Sequence, residues 1–205
     1  MLKFTECLDQ LVIREYKGRK MVLCTKDEKP FRVQLPRLYM PFGVSGFTPE
    51  VGPTKYNIDF SLNGWDEEGS FVQKFYQTLR QVEAKIVETV AENSEEIFGE
   101  KKTAEELTPL FNSNIKESEG GDYAPKFRVK VDSTIDDRVK CDVFDAQKNR
   151  LTDTLEDKLY ARNSGKGIAE AASVYFLNKK FGVTWKLYQL QVFEPERLKG
   201  FQFTL

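Results

Sequence analysis

The distribution of apolar and polar residues along the chain predicts several β-strands. Residues 55–62 alternate strictly, so that their apolar side chains share one face of a strand and their polar side chains the other. Residues 126–132, with the sequence KFRVKVD, repeat this pattern with cations at the polar positions. Shorter β-like runs occupy 19–26, 31–35 and 138–146, and residues 168–194 favour a hairpin that turns at NKKFG.

One long amphipathic helix is predicted at about 70–98. Ser70 and Gln73 have the spacing of a capping box, and apolar residues from Phe71 to Val90 recur at steps of three and four. The helix lies in a predicted insertion, residues 66–122. The last part of this insertion, residues 99–122, is expected to be a mobile acidic and polar linker that includes one short helix.

These elements indicate a mainly β chain of the α+β class. Five or six strands with one inserted helix predict an OB-fold-like Greek-key barrel. A β-sandwich with an inserted helix is the alternative. The length of 205 residues is typical of a single domain spanning 1–205, although two small domains remain open.

The composition argues against most enzyme classes. The chain has no histidine, which removes the commonest general base and the commonest metal ligand. Cys7, Cys24 and Cys141 are odd in number and far apart, so they predict reduced thiols and no zinc motif. Because a glycine-rich phosphate loop is also missing, we predict no catalytic residues, no metal and no cofactor. A magnesium-dependent nuclease that uses only carboxylates is the least favoured alternative.

The expected location follows from two further features. No apolar run approaches the roughly 20 residues that cross a bilayer. The start MLKFTECLDQ lacks the apolar core of a signal peptide. The sequence therefore predicts a soluble intracellular protein that is not secreted.

Charge is divided unevenly along the chain, although the formal total is only −1. Residues 1–65 carry 10 basic and 7 acidic side chains, residues 66–119 carry 6 and 13, and residues 120–205 carry 15 and 12. The two net-positive parts are rich in predicted strands, whereas the net-negative part covers most of the insertion. The sequence thus predicts a mildly cationic β-core, although acidic helix surfaces also serve solubility alone.

Three groups of cations and aromatic rings are candidates for binding single-stranded nucleic acid, which is held by cations on its phosphates and aromatic faces on its bases. The candidates are Lys126, Arg128 and Lys130 on the alternating strand, Arg37, Tyr39, Phe42 and Phe47 in the loop that precedes residue 48, and Lys179, Lys180, Phe181, Trp185, Lys186 and Tyr188 on the hairpin. Glycines in that loop would let its backbone approach a ligand closely. Each group also has an ordinary explanation, as the solvated face of a strand, a protected sheet edge or core aromatics.

Three segments together resemble the single-stranded DNA-binding proteins of nucleocytoplasmic large DNA viruses. They are LYMPFGVSGF with KYNIDFSL at 38–62, FVQKFYQTLRQVEAKIV at 71–87, and the block from PKFRVKVD to LQVFEP at 125–195. This group has an OB-fold related to the replication single-stranded DNA-binding proteins of short-tailed phages. The resemblance implies a non-enzymatic protein that coats exposed single strands, whatever their sequence, in DNA replication, recombination or repair.

The resemblance also implies partners and a place of action. Single-stranded DNA is the expected ligand, replication proteins are expected further partners, no membrane is involved, and the protein would act in the host cytoplasm or nucleus at sites of viral DNA replication. The phage relatives end in an acidic tail that recruits replication enzymes, whereas this chain ends KGFQFTL. Recruitment through the tail is therefore not predicted.

Several points stay open at the level of sequence. These are the choice between a monomer and a homodimer, the preference between DNA and RNA, and the number of nucleotides covered. The alternative function is a virion or scaffold protein that binds other proteins and has no affinity for nucleic acid.

Overall fold

The computed structural model describes residues 1–195. The first elements are β1 (Leu2–Lys3), α1 (Phe4–Gln10), β2 (Leu11–Ile13), β3 (Lys20–Thr25), β4 (Arg32–Met40), β5 (Val44–Phe47), β6 (Lys55–Ser61) and α2 (Phe71–Glu92). They are followed by α3 (Ser94–Phe98), α4 (Ala104–Leu107), a 3₁₀ turn (Thr108–Leu110), β7 (Phe111–Asn112), β8 (Ile115–Lys116), β9 (Lys126–Val131), β10 (Asp142–Phe144), β11 (Arg150–Leu151), β12 (Asn163–Leu177) and β13 (Lys180–Phe193). All of these strands belong to one continuous sheet.

The longer strands form a ring. β4 pairs antiparallel with β12 and β12 antiparallel with β13, while β13 pairs parallel with β9. β9 pairs antiparallel with β6, and β6 antiparallel with β5. Residues 41–43 join β4 to β5, and β4 also contacts β6, so the sheet closes on itself. The ring encloses a core of side chains, as expected of a small barrel.

The predicted fold class is confirmed. The chain is mainly β with one long inserted helix, and the strands form one closed sheet rather than the two sheets of a sandwich. The sheet contains more strands than the predicted five or six because several have only two or three residues. Such strands are too short to show alternation in the sequence.

α2 begins where the sequence predicts. Ser70 Oγ accepts a hydrogen bond of 2.9 Å from the Gln73 backbone N–H, and the Gln73 side chain accepts one from the Gly69 N–H. The Gln73 bond satisfies one of the backbone N–H groups that lack a partner within the helix, and the Gly69 bond ties the preceding turn to the helix. The helix ends at Glu92, and α3 occupies most of the remaining predicted length. No described helix is long and apolar enough to cross a membrane.

From Phe75 to Val90 the apolar stripe of α2 packs on the inner side of the sheet, whereas Phe71, the first residue of the predicted stripe, is exposed. The Phe75 ring meets Phe4 and Phe127 edge to face, with ring centroids 5.4 Å and 5.8 Å apart. Phe127 faces inward because β9 alternates strictly between half-buried and buried residues. The helix therefore covers the inner face and leaves the outer side of β9 free of it.

Regular structure occupies part of the expected linker, residues 99–122. Thr103 and Glu106 form a complete capping box at the start of α4. The insertion also adds two short strands to the sheet, β7 beside β13 and β8 beside the cationic strand β9. The C-terminal residues 199–205, KGFQFTL, lie outside the described residues.

Candidate nucleic-acid interface

The polar positions of β9 lie on the outer side of the sheet. Lys126, Arg128 and Lys130 are half-buried, and the apolar residues between them are buried, as the alternation predicts. The pairing with β6 places Asp59 opposite Arg128 and Asn57 opposite Lys130. Because paired residues share a face, the cationic strand has polar neighbours on this side.

One line of polar residues crosses the outer side from strand to strand. It consists of Asn57 on β6, Lys130 on β9, Lys186 on β13, Glu170 on β12 and Arg32 on β4, each paired with the next. We call these residues the transverse row. With neighbouring strands about 4.8 Å apart, the row follows the sheet for about 19 Å. It brings Lys130 and Lys186, which are distant in sequence, side by side.

A carboxylate holds Arg128 in place. Its Nε and Nη2 donate hydrogen bonds of 2.7 Å and 2.8 Å to the two oxygens of Asp59. Asp59 is only 9% exposed, and its hydrogen bonds raise the pKa of Arg128 above the ordinary value. This two-bond geometry fixes the guanidinium and compensates its charge.

A second carboxylate bridges two lysines of the transverse row. Lys130 Nζ and Lys186 Nζ each lie 2.8 Å from an oxygen of Asp132. Burial acts to raise the pKa of Asp132, but the hydrogen bonds from the two lysines outweigh it, so the pKa lies below its usual value. The carboxylate therefore sits where an anionic ligand would meet both lysines.

Two exposed aromatic rings lie beside cations of this side. The Arg32 guanidinium carbon is 3.7 Å from the ring centroid of Tyr188, and Lys126 Nζ is 5.0 Å from that of Phe42. Tyr188 and Phe42 are 45% and 50% exposed. Each pair combines a positive charge with a flat apolar surface, the two parts that hold a single strand.

The C-terminal half of β4 carries two further predicted residues. Arg37 and Tyr39 are exposed, and they alternate with buried Leu38 and Met40. The Arg37 guanidinium carbon lies 4.2 Å from the ring centroid of Phe193. Both residues point to the same side as Arg32 and extend the cationic and aromatic surface along the strand.

Phe47 lies at the end of β5 and is largely exposed. It pairs with Lys55 on β6, and the next outward pair along these strands is Ser45 with Asn57. The ring is therefore on the same side of the sheet as the transverse row. The structure thus places this predicted residue beside the others.

Gly43, the last residue of the turn formed by residues 41–43, packs against another part of the protein and does not face a ligand. Gly43 has φ of +61°, and a Cβ atom there would lie 2.2 Å from the carbonyl oxygen of Leu159. The same oxygen accepts a 2.8 Å hydrogen bond from the Val44 N–H. The expectation that this glycine lets the backbone approach a ligand is wrong, because residues 159–161 occupy that space.

Two predicted stacking rings are buried. Phe181 is 0% exposed and Trp185 is 3% exposed. Trp185 packs against Phe31 and Phe127, with ring centroids 6.1 Å and 5.5 Å apart. The prediction that these two rings stack on bases is wrong, because the pleat of β13 turns them into the core while Lys186 points outward.

The hairpin turn keeps its two lysines away from the transverse row. Asn178 and Lys179 have φ of +51° and +63° and form the two-residue turn between Leu177 and Lys180. Lys179 and Lys180 are exposed. The turn is separated from Lys186 by about 20 Å of extended strand, so these lysines lie outside the main cluster.

A cleft opens in the sheet beside the transverse row. β9 and β13 pair at Lys130 and Lys186 and separate towards their N-terminal ends, where β7 and β8 join them to residues 111–116. The cleft has a volume of about 520 Å³. Its charged lining residues are Lys55, Lys116, Arg128 and Lys130, without any carboxylate.

Lys116 is a lining residue that the sequence analysis missed. Its Nζ donates a 2.5 Å hydrogen bond to the carbonyl oxygen of Ser113. Burial lowers the pKa of Lys116, and the nearby positive charge of Arg128 lowers it further. Arg32 and Lys55 were missed as well, although both occupy polar positions of alternating strands. Lys116 could not be recognised in this way, because it lies in a strand of only two residues within an acidic part of the sequence.

Among residues 1–195, no group of three or more cysteine or acidic side chains is placed to hold a metal ion.

Two solved structures of phage proteins are similar to this chain. The single-stranded DNA-binding protein gp2.5 of bacteriophage T7 matches with a TM-score of 0.50 and 13% identity, over 85% of this chain and 97% of that chain. The single-stranded DNA-binding protein of bacteriophage Enc34, in complex with single-stranded DNA, matches with a TM-score of 0.49 and 12% identity, over 94% and 99%. At this identity, the match to the T7 protein shows the fold alone. The resemblance to proteins of nucleocytoplasmic large DNA viruses stays a prediction.

A family model identifies the group to which the sequence belongs. No curated protein matches the chain. Residues 66–203, well over half of the chain, match the model described as a family of unknown function (DUF5871). The chain is therefore a member of the family DUF5871.

Proposed function

We propose that the protein binds single-stranded DNA, whatever its sequence, on the outer side of the sheet around the transverse row. The observation that carries the proposal is that six strands, β4, β5, β6, β8, β9 and β13, present cations or exposed rings on the outer side of the sheet. The proposed contacts are Arg32, Arg37, Tyr39, Phe42, Phe47, Lys55, Lys116, Lys126, Arg128, Lys130, Lys186 and Tyr188. Lys179 and Lys180 are outlying contacts for a longer strand.

The two kinds of side chain have separate roles. Cations spaced about 6.6 Å apart along β9 and about 4.8 Å apart across the strands fit a flexible chain of phosphates. Tyr188 and Phe42 offer ring faces for bases, and stacking on an aromatic ring tolerates any base. Because no side chain in this arrangement has to recognise a base edge, binding is independent of sequence.

The fold is consistent with this activity. The T7 protein gp2.5, whose fold this chain shares, is a single-stranded DNA-binding protein. Since 13% identity shows the fold alone, the proposal depends on the surface chemistry of this chain and not on the likeness.

The internal carboxylates should moderate the affinity. A phosphate that reaches Lys130 and Lys186 competes with Asp132, which already accepts a hydrogen bond from each. Binding therefore exchanges one anion for another and gains less than binding to free lysines would. Moderate affinity suits a protein that must release the strand to other proteins.

The cellular setting is part of the proposal. A sequence-independent protein of this kind would protect exposed strands during replication, recombination or repair of viral DNA in the host cytoplasm or nucleus. It would act without enzymatic activity and beside replication proteins, as a monomer or a homodimer.

Fluorescence anisotropy with labelled oligothymidylate tests the proposal. We expect binding that weakens as salt rises, because each phosphate contact on a single strand contributes about −0.7 to the slope of log K against log salt. An oligouridylate of equal length measures the preference between DNA and RNA. A duplex of equal length serves as the competitor.

The outcomes separate the two candidate functions. Salt-dependent binding to oligothymidylate, with weaker binding to the duplex, supports the proposal. Absence of binding at low salt overturns it and favours a virion or scaffold protein, for which analytical ultracentrifugation should then show assembly with other proteins or with itself.

A further inference from the structure

A second cleft lies where β4 meets the start of α2. It has a volume of about 660 Å³. Its charged lining residues are Lys3, Arg37 and Lys166, without any carboxylate, and the rings of Phe71 and Phe193 also line it. We call it the α2 cleft. Only Arg37 of these residues belongs to the proposed contacts above.

Phe71 places an exposed aromatic ring at the edge of the α2 cleft. It is the first residue of α2 and is 72% exposed, whereas the buried stripe of the helix begins at Phe75. Lys74 Nζ lies 5.9 Å from the ring centroid of Phe71. The ring thus lies next to a cation and contributes little to the core, as Phe42 does beside Lys126.

The α2 cleft continues the proposed interface. Gln34 lines the cleft and lies on the outer side of β4 between Arg32 of the transverse row and Arg37. On the neighbouring strand, Lys166 pairs with Arg37. The polar surface is therefore continuous from the transverse row to the start of α2.

The charges of the α2 cleft differ from those of the transverse row. Within residues 1–195, neither Arg37 nor Lys166 forms an ion pair with a carboxylate. Lys166 is exposed. A concave surface with uncompensated cations and aromatic walls matches a chain that is anionic along its backbone and flat and apolar in its bases.

We propose that the α2 cleft holds the nucleotides at one end of the bound single strand, with a base stacked on Phe71 and phosphates on Lys166 and Arg37. This inference rests on the proposed function and assigns it a subsite. It predicts that the bound strand extends beyond the sheet and reaches α2.

The test uses labelled oligothymidylates of graded length, from about 4 to about 20 nucleotides, which brackets the site size of one OB-fold. Phe71→Ala should weaken binding of the long oligonucleotides about fivefold or more, since one lost base stack has this effect. The affinity for the shortest oligonucleotides should not change. The affinity should also stop rising at a shorter oligonucleotide length than in the wild type. Lys166→Ala should reduce the salt slope by about 0.7 for long oligonucleotides.

Two control variants accompany Phe71→Ala. Tyr123→Ala removes an aromatic ring that is 78% exposed and does not line the cleft, so affinity should stay at the wild-type value. Phe71→Trp keeps a ring and should retain the affinity for long oligonucleotides. Because Phe71 is mostly exposed, its replacement should leave the melting temperature unchanged.

The outcomes distinguish this inference from the proposed function. If the wild type binds oligothymidylate and Phe71→Ala binds every length equally well, the subsite is refuted while the proposed function stands. If the wild type binds no oligothymidylate, both are refuted. Loss of affinity in Tyr123→Ala equal to that in Phe71→Ala would also overturn the subsite, because the effect would then not be specific to the cleft.

Discussion

The transverse row and the α2 cleft carry the same kinds of side chain in different electrostatic states. In the row, Lys130 and Lys186 share the carboxylate of Asp132 at 2.8 Å each. In the cleft, Arg37 and Lys166 have no carboxylate partner among the described residues, and the cleft lining contains none. The number of cations on a strand therefore does not measure the charge that the strand offers to a ligand.

The pairing also changes what each region contributes. Paired cations are held in one orientation, so little conformational entropy is lost when a ligand binds them, but their charge is partly compensated. Unpaired cations keep their full charge, and they lose more conformational entropy when a ligand binds them. We therefore expect the row to position the strand and the cleft to supply a larger share of the salt-dependent affinity for each cation.

The largest expected effect tests whether the ion pair between Arg128 and Asp59, next to the transverse row, supports the fold. Arg128→Ala leaves the carboxylate of Asp59, which is 9% exposed, without its bidentate partner. An unsatisfied buried polar group costs about 1–3 kcal/mol, so the free energy of unfolding should fall by about 2 kcal/mol. Urea denaturation followed by circular dichroism measures this change.

A double-mutant cycle provides the control for Arg128. Asp59→Ala in the Arg128→Ala background should lower the free energy of unfolding only slightly further, because no unpaired charge then remains. If the decreases in the free energy of unfolding of the two single variants add up to that of the double variant, the two residues are not coupled. The description of Arg128 as a compensated cation is then wrong.

The next effect compares one paired lysine with one unpaired lysine. Lys166→Ala should remove about 0.7 from the salt slope of oligothymidylate binding, the full value for one phosphate contact on a single strand. Lys130→Ala should remove less, because Asp132 already compensates Lys130. Anisotropy titrations at several salt concentrations give both slopes. Equal decreases of the salt slope in the two variants would show that pairing with a carboxylate does not distinguish the transverse row from the α2 cleft.

A smaller effect should follow from releasing the bridged lysines. Asp132→Asn removes the anion between Lys130 and Lys186 and makes both available to phosphates. We expect about threefold tighter binding of oligothymidylate and a steeper salt slope by about 0.7. Asp136→Asn, at an exposed aspartate of the same region, is the matched control and should change neither. Weaker binding in Asp132→Asn would show that the carboxylate orients the lysines for the ligand.

The smallest effect concerns the pH dependence of Lys116. Burial and Arg128 lower its pKa, so Lys116 loses its charge at a lower pH than an ordinary lysine with a pKa of about 10.4. Oligothymidylate binding should weaken as the pH rises through this lowered pKa. Arginine stays charged throughout, so Lys116→Arg should flatten the pH profile.

The stability of the protein should change in the opposite direction over the same range. Between the lowered pKa and the ordinary lysine value, the unfolded chain holds a proton on Lys116 that the folded chain has released. The free energy of unfolding therefore rises with pH in this window. A pH profile that is equally steep in wild type and Lys116→Arg would assign the dependence to another group.

Much of the fold could be predicted from periodicity. The alternation in 126–132 and the stripe of α2 each reflect one element with one buried face, which is a local property of the sequence. The short strands β7 and β8 could not be predicted, since two residues show no period and their pairing with β13 and β9 depends on distant parts of the chain.

The candidate site was predictable only in part. The cations of β9 and the exposed rings of Tyr39, Phe42 and Phe47 were found from residue type and pattern. The burial of Phe181 and Trp185 was missed, because an aromatic residue on an amphipathic strand can face either side until the strand's partners are known. Lys116 was missed, and Phe71 was counted with the apolar stripe of α2, because the surroundings of both side chains depend on residues that are far away in the chain.

The sequence by itself determined which residues alternate, where the long helix begins and how charge divides between the strands and the insertion. These properties depend on neighbours a few residues apart. Tertiary structure alone decided that Asp132 lies between Lys130 and Lys186, that Asp59 compensates Arg128, and that Arg37 and Lys166 remain unpaired among the described residues. Electrostatic availability depends on distances of a few ångströms between groups far apart in the chain, and only the closed sheet sets those distances.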